Sequence, residues 1–323
     1  MITIVKLGFL GAGVAACHHA AVARVLGGEV VAATTSSGNS PNWEKFQQHA
    51  PDAEQLTNGD EILNNPDIDG VVACMSWDVM PLWAERLLKC KKPVLIEKPV
   101  TLTAAPLQAI VSSLDYKPDN KLFGYNRRYY DPVIRLKKRI NEGGLKAASV
   151  IISEAVQDHV KRRGKKVVEH LIPFICSHTI DLILHLFGTL HPVDIRPYHE
   201  VGLAHPFISY NGMLLTAQGT PINIGINAND PSPMGVRCLF DDGTTWHLSP
   251  LEVLTVFKGY EIQQPTADYK IRRYTPKIME QHFVDTTMKP GYKEQMAAFL
   301  TGNYGPGATI DDAIDVLKLI ESL

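Results

Sequence analysis

The chain has 323 residues, 45% of them hydrophobic and 20% charged, an ordinary globular composition that excludes disorder, collagen-like repeats and coiled coil. A net charge of −2 and a pI near 6.6 lack the cationic excess of a dedicated nucleic-acid binder, and no apolar run approaches the ~20 residues a membrane helix needs. The five cysteines are scattered without a CxxC pair, so they read as reduced thiols of a cytoplasmic protein, with no disulfide frame and no metal site. The opening residues have no charged segment ahead of an apolar stretch, so no secretion signal is expected.

The spacing predicts a strand over Ile2–Leu10, a glycine turn, and an alanine-rich helix over Val14–Leu26. Further strands are expected at Glu29–Thr35, Gly70–Met75, Pro93–Ile96 and Lys121–Tyr125. Helices are expected at Asn42–His49, after Asn58-Gly59-Asp60, at Pro81–Cys90 with proline in its first turn, and at Ala104–Leu114. Strands alternating with helices of about ten residues imply parallel βαβ units, a doubly wound sheet. The second half differs in kind. A basic amphipathic helix is expected at Pro132–Asn141, a β-rich run at Ala147–Gln157, a buried helix at Leu171–Phe187, and a closing helix at Ile310–Leu323. Between Val193 and Phe257 short runs broken by Gly, Pro and Asn predict an antiparallel sheet. The expected architecture is α/β: an N-terminal doubly wound Rossmann domain over 1–124, then an α+β domain over 125–323 with an open, largely antiparallel sheet, the last helix free to return to the first domain.

Gly11-Ala12-Gly13-Val14-Ala15-Ala16 carries the dinucleotide fingerprint in its G-x-G-x-x-A form. Gly11 permits the tight turn, Gly13 the approach of a pyrophosphate, and Ala16 the packing of helix on strand. The backbone N–H groups of Val14 and Ala15 then face the phosphates from the helix N-terminus. A ligand-free strand–helix turn is the alternative, but the motif follows a strand and heads a βαβ series, the context it requires. No carboxylate stands at the end of the second strand, where NAD's ribose would be held. Thr34-Thr35-Ser36-Ser37 occupies it, and hydroxyls at Ser36 and Ser37 lean slightly toward NADP over NAD. Beyond the fourth predicted strand comes Glu97-Lys98-Pro99. Lys98 there is placed to serve a carbonyl or hydroxyl where hydride moves, although on spacing alone a plain surface lysine explains it as well.

Gly11-Ala-Gly13, Glu97-Lys98-Pro99 and Tyr125-Asn-Arg127-Arg128-Tyr129 together resemble the Gfo/Idh/MocA family of NAD(P)-dependent sugar and polyol oxidoreductases. The Gly143-Gly-Leu turn, His178-Thr-Ile-Asp181, and Gly291-Tyr-Lys-Glu-Gln-Met-Ala-Ala-Phe299 follow the same pattern. The resemblance implies that Lys98 and His178 are catalytic and that Ser76, Trp77, Glu97 and Lys98 flank the cofactor. Asp181, on the helix face of His178 three residues on, is expected to orient the imidazole or bind substrate. Arg127 and Tyr125 are expected to lie toward the substrate, and His170, with Glu169, to be placed there as a candidate for the part of the carboxylate missing ahead of His178. The resemblance also implies a small carbohydrate-like substrate and a homodimer or homotetramer whose open sheet often makes the interface.

Two departures stand out. Many members carry an aspartate four residues before the histidine, where this chain has Phe174, and Ser76-Trp77-Asp78 replaces the usual Pro-Asn and histidine after the third strand. Phe174 cannot relay a proton, and it tends to depress the pKa of the neighbouring imidazolium, so His178 is expected to work as a neutral base or to leave the proton to Lys98. The run Lys161-Arg-Arg-Gly-Lys165-Lys166 is either a solvated loop or a grip on an anionic substrate. An oxidoreductase is the favoured function. A nucleotide-binding sensor that has lost turnover is its rival, on the strength of Phe174.

Overall fold

A computed structural model describes residues 5–199 and 208–323, so the first residues of the predicted strand at Ile2–Leu10 and part of the predicted sheet at Val193–Phe257 lie outside the described residues. In chain order the elements are β1 (Lys6–Leu10), α1 (Val14–Val25), β2 (Glu29–Thr34), α2 (Pro41–Gln47), β3 (Glu54–Leu56), α3 (Gly59–Asn64), β4 (Gly70–Ala73), α4 (Met80–Lys89), β5 (Val94–Ile96), α5 (Ala104–Ser112) and β6 (Lys121–Phe123). There follow α6 (Asp131–Asn141), β7 (Leu145–Glu154), α7 (Val156–Arg163) and α8 (Ser177–Phe187). Then come β8 (Leu190–His199), β9 (Ile208–Thr216), β10 (Pro221–Ala228), β11 (Gly235–Phe240), β12 (Thr244–Leu248), β13 (Val253–Gln263) and β14 (Arg273–Phe283). Two helices, α9 (Tyr292–Thr301) and α10 (Ile310–Glu321), end the order.

Contacts divide the chain into two units. The first takes the described residues up to Tyr129, Ile172–Asp181 and Asp285–Glu321, and the second takes Tyr130–Leu171, Leu182–Val284 and Ser322–Leu323. A single cut at 124/125 therefore describes the chain's order but not its packing, because two later segments are built into the first unit.

The first unit is a parallel sheet in the order β3-β2-β1-β4-β5-β6, the doubly wound arrangement with its crevice outside the carboxyl ends of β1 and β4. β4, β5 and β6 are buried at every position, as strands covered on both faces must be. Leu7, Phe9, Val72 and Leu95 form the core together with Met296 and Phe299 of α9. The C-terminal return is thus part of this core: α9 lies on α1, and α10 lies on α5 and β6. Lys121, 2% exposed, opens β6 and gives its ammonium to the carbonyls of Cys90 (2.7 Å) and Lys92 (2.9 Å) and to Asn120 Oδ1 (2.6 Å).

The second unit is an eight-stranded sheet in the order β14-β13-β12-β11-β7-β10-β9-β8. Only β7 and β10 run parallel; the other neighbours are antiparallel. Its α6 contacts β12, β13 and β14. The basic run is no loop: Lys161, Arg162 and Arg163 form the last turn of α7, where cations favour the helix dipole.

Candidate active site

β1 delivers the chain to Gly11, whose φ of +103° lies where L side chains are strained. A Cβ there would stand 2.7 Å from the Cys74 carbonyl oxygen, and the Gly11 N–H donates to Thr34 Oγ1 at 3.0 Å. Gly13 is different. Its φ of −75° suits any residue and nothing lies within 4 Å of where its Cβ would be, so the fold itself does not demand glycine here. What remains open is a cleft of about 430 Å³ that includes Gly11, Gly13, Val14, Ala15, Ser36 and Ser76. α1 begins beside it with no side-chain cap and no acidic residue in its first turn, leaving its N-terminal N–H groups to a ligand. An empty space in front of Gly13 and an uncapped helix end fit a pyrophosphate, and no carboxylate lines the cleft among the described residues. Ser37, Trp77, Glu97 and Lys98 are not in its lining. The Ser37 carbonyl instead accepts from Thr35 Oγ1 at 2.9 Å.

Lys98 follows β5 and is joined to Pro99 by a cis peptide bond. Its Nζ donates to the backbone carbonyl of Phe174 at 2.5 Å and lies 4.9 Å above the Phe174 ring. The residue standing where a relay aspartate is expected thus holds the lysine through its carbonyl and its π face. The Trp77 ring lies 6.1 Å from the same ring, tilted by 37°. Glu97 points away from the lysine's position into the core. His19 Nε2 meets its Oε1 at 2.9 Å and Tyr292 donates to the same oxygen at 3.2 Å, while Lys289 donates to Tyr292 Oη at 2.9 Å. Burial works to raise the Glu97 carboxyl, but His19, Lys98 and Lys289 hold it below the usual carboxylate range.

Phe174 sits in one wide π-helical turn, Ile172–Cys176, that runs directly into α8. The predicted helix at Leu171–Phe187 is helical throughout, with its first turns widened to the π form around Pro173, and such a turn is frequent at functional positions. His178, half-buried at the start of α8, faces the buried Tyr125 edge-on with ring centres 6.0 Å apart. Its pKa falls well below the ordinary value, first through burial and then through the cations Lys98, Arg127 and Lys289, so the imidazole is neutral at physiological pH. Its Nδ1 is sealed off without a hydrogen-bond partner among the described residues, which leaves Nε2 as the ring atom open to a substrate.

Asp181 is not brought to the imidazole. Wholly buried, it receives Arg128 Nε on both oxygens at 3.0 Å and Arg128 Nη2 at 2.6 Å, and Asp312 joins the same guanidinium at 3.1 Å. Burial pushes the Asp181 carboxyl up to about 6 against the pull of Arg128. Its three-residue spacing from His178 is real, but a buried guanidinium outcompetes a neutral ring for a carboxylate. Arg127 is at the site: its Nη1 donates to Thr179 Oγ1 at 2.5 Å. His170 ends a 3₁₀ turn of the second unit. Lys289 and the Phe174 carbonyl were not among the expected site residues. A backbone carbonyl carries no sequence signal, and Lys289 stands just ahead of the Gly291–Phe299 segment, which was read only as a closing segment.

A parallel sheet in this order, an open glycine turn at its switch point and a lysine at the carboxyl end of β5 define an NAD(P)-dependent oxidoreductase of the Rossmann class. Residues 5–121 match the GFO_IDH_MocA model, described as an oxidoreductase family with an NAD-binding Rossmann fold, and this N-terminal domain belongs to the Gfo/Idh/MocA family. Inositol 2-dehydrogenase of Agrobacterium fabrum is 23% identical over 78% of this chain and 76% of its own. The scyllo-inositol 2-dehydrogenase (NADP(+)) IolW of Bacillus subtilis is 26% identical over 57% of this chain and 52% of its own. The solved structure of UDP-N-acetylglucosamine 3-dehydrogenase GnnA from Acidithiobacillus ferrooxidans superposes with a TM-score of 0.74 at 14% identity, covering 100% of this chain and 97% of that one, a likeness of fold.

Proposed function

We propose that the chain moves a hydride between a nicotinamide cofactor and the carbinol or carbonyl carbon of a polyol, sugar or sugar derivative, with Lys98 and His178 handling the proton on the reacting oxygen. The observation that carries this reading is the meeting of Lys98 Nζ with the Phe174 carbonyl, four residues before a neutral His178. Gly11, Gly13 and the start of α1 hold the pyrophosphate, and hydroxyls without a carboxylate after β2 favour the 2′-phosphate of NADP. When bound, the nicotinamide supplies a two-electron carrier at C4. In oxidation Lys98 donates a hydrogen bond to the substrate oxygen and steadies the developing alkoxide, while His178 Nε2 takes the hydroxyl proton. The carbinol carbon loses a hydride and its oxygen a proton, leaving a carbonyl; reduction returns both. His178 Nδ1 has no hydrogen-bond partner among the described residues, and the ring presents a lone pair at Nε2 in one direction and an N–H in the other. Both relatives named above are dehydrogenases, and the sensor reading, which rested on Phe174, gains no support from them.

The experiment supplies C4-deuterated NADH and NADPH with a metabolite extract and follows deuterium by mass spectrometry. A metabolite labelled by the wild type and not by Lys98→Ala, with cofactor affinity within a few fold, is the expected result. Full labelling by the variant removes Lys98 from the chemistry.

A further inference from the structure

We infer that Arg128 is a positioning residue for His178, tying the helix turn that carries the imidazole to the first turn of α10; this rests on the reading that His178 handles the proton on the reacting oxygen. His178 and Asp181 stand three residues apart at the start of α8, within one turn of a single stiff element. Whatever holds the Asp181 carboxylate therefore also holds the backbone that carries the ring. Asp181 is 0% exposed, and Arg128 reaches it as a fork, Nε to both oxygens at 3.0 Å and Nη2 to Oδ1 at 2.6 Å. The same guanidinium, 4% exposed on its side chain, meets Asp312 Oδ1 at 3.1 Å and the Pro306 carbonyl at 3.4 Å.

Asp312 is fixed in its turn. Its Oδ2 accepts from the Thr309 N–H at 2.7 Å and from the Thr309 hydroxyl at 2.8 Å, and Thr309 Oγ1 accepts from the Asp312 N–H at 3.3 Å. This reciprocal pairing caps α10 at its start, so one carboxylate serves the helix end through Oδ2 and Arg128 through Oδ1. α10 lies on β6, and β6 pairs with β5, the strand that delivers Lys98. The two groups that handle the proton thus share one frame, Lys98 through β5 and His178 through α8, Arg128 and α10. The charges that act most on the His178 ring belong to Lys98, Arg127 and Lys289, so Arg128 bears on it through geometry. Lysine at position 128 would keep the charge and lose the planar fork.

The test is a double-mutant cycle between Arg128→Lys and His178→Gln. It is read as deuterium transfer from C4-deuterated NADPH and NADH to a metabolite extract, with cofactor concentration varied so that kcat and the cofactor KM separate. Arg128→Lys should lower kcat at least roughly tenfold, since about 1 Å of misplacement at a reacting group can cost about a hundredfold, and leave the cofactor KM within a few fold. In the His178→Gln background the same substitution should change kcat by less than about twofold, because a residue that acts through the ring then has nothing left to position. Asp312→Asn spares the Arg128–Asp181 pair and loosens only the link to α10, so a smaller fall in kcat is expected. Its side chain is 35% exposed, and it carries the cycle should urea titration show that Arg128→Lys does not fold. A lowered urea midpoint with kcat unchanged, or the same fractional loss of kcat in both backgrounds, sinks the inference and leaves the dehydrogenase reading intact. A His178→Gln variant as active as the wild type, or no transfer by the wild type from either cofactor, overturns the reading of His178 and the inference with it.

Discussion

Phe174 is the residue at which this site departs most from what its motifs imply, and the structure gives it two physical effects. It removes the carboxylate that would raise the histidine's pKa, and its carbonyl holds the signature lysine. Phe174→Asp should therefore move the acid limb of the kcat/KM profile upward, because a carboxylate beside His178 favours the imidazolium. The wild type should show no limb near 6.5, the ordinary histidine value from which burial and three cations depress this one. A wild-type limb at that pH, unmoved in the variant, would remove His178 from the proton path. The same depression has a consequence for stability. The folded protein resists protonating His178 while the unfolded chain takes the proton near 6.5, so the full contribution is present above that pH and is lost as pH falls toward the folded value. Melting temperatures measured between pH 7.5 and 5 should fall for the wild type and fall less steeply for His178→Gln. On spacing alone Lys98 was no more than an even match to a surface lysine, and His178 was singled out only through the family resemblance. What positions Lys98 is a carbonyl, which every residue has, and what occupies Asp181 is a guanidinium brought from 53 positions away.

At the level of elements, the glycine turn separates what the fold needs from what a ligand needs. Gly11→Ala forces a side chain into a positive φ and against the Cys74 carbonyl, which should cost about 1–3 kcal/mol in urea unfolding. A Cβ at Gly13 meets no protein atom within 4 Å, so the melting temperature of Gly13→Ala should stay within a few degrees while nicotinamide-cofactor affinity falls by at least about tenfold. Equal loss of stability in both variants would return the turn to a purely structural role. Period and turn chemistry made β1, α1, β4, α4 and the doubly wound order readable. They did not find β3, a three-residue edge strand too short to display alternation. Nor did they anticipate β14, or that the helix read over Leu171–Phe187 would open with a wide π turn at Ile172–Cys176. The helix α9 was visible only as part of a familiar closing segment, since its buried Met296 and Phe299 are core residues of a sheet that begins some 290 positions earlier.

For the whole molecule, the eight-stranded sheet carries an argument about assembly. Its edge pair β13 and β14 is long, and Tyr260, Ile262, Tyr274 and Ile278 are between 52% and 65% exposed. Ile262 pairs with Tyr274 across the two strands and Phe257 with Ile278, with Tyr260 two places from Ile262 on the same side, so the register gathers apolar groups on one face. A soluble monomer rarely leaves a row of this kind on an edge strand uncovered, and we propose that a second copy of the chain covers it. Tyr260→Arg combined with Ile278→Arg puts two cations into that face without touching the cleft beside Gly13. Light scattering after size exclusion should find the wild type as a dimer or tetramer and the double variant as a monomer that keeps its cofactor affinity within a few fold. A wild type that is monomeric at micromolar concentration, or a variant of unchanged mass, would place the contacts between copies somewhere other than these two strands.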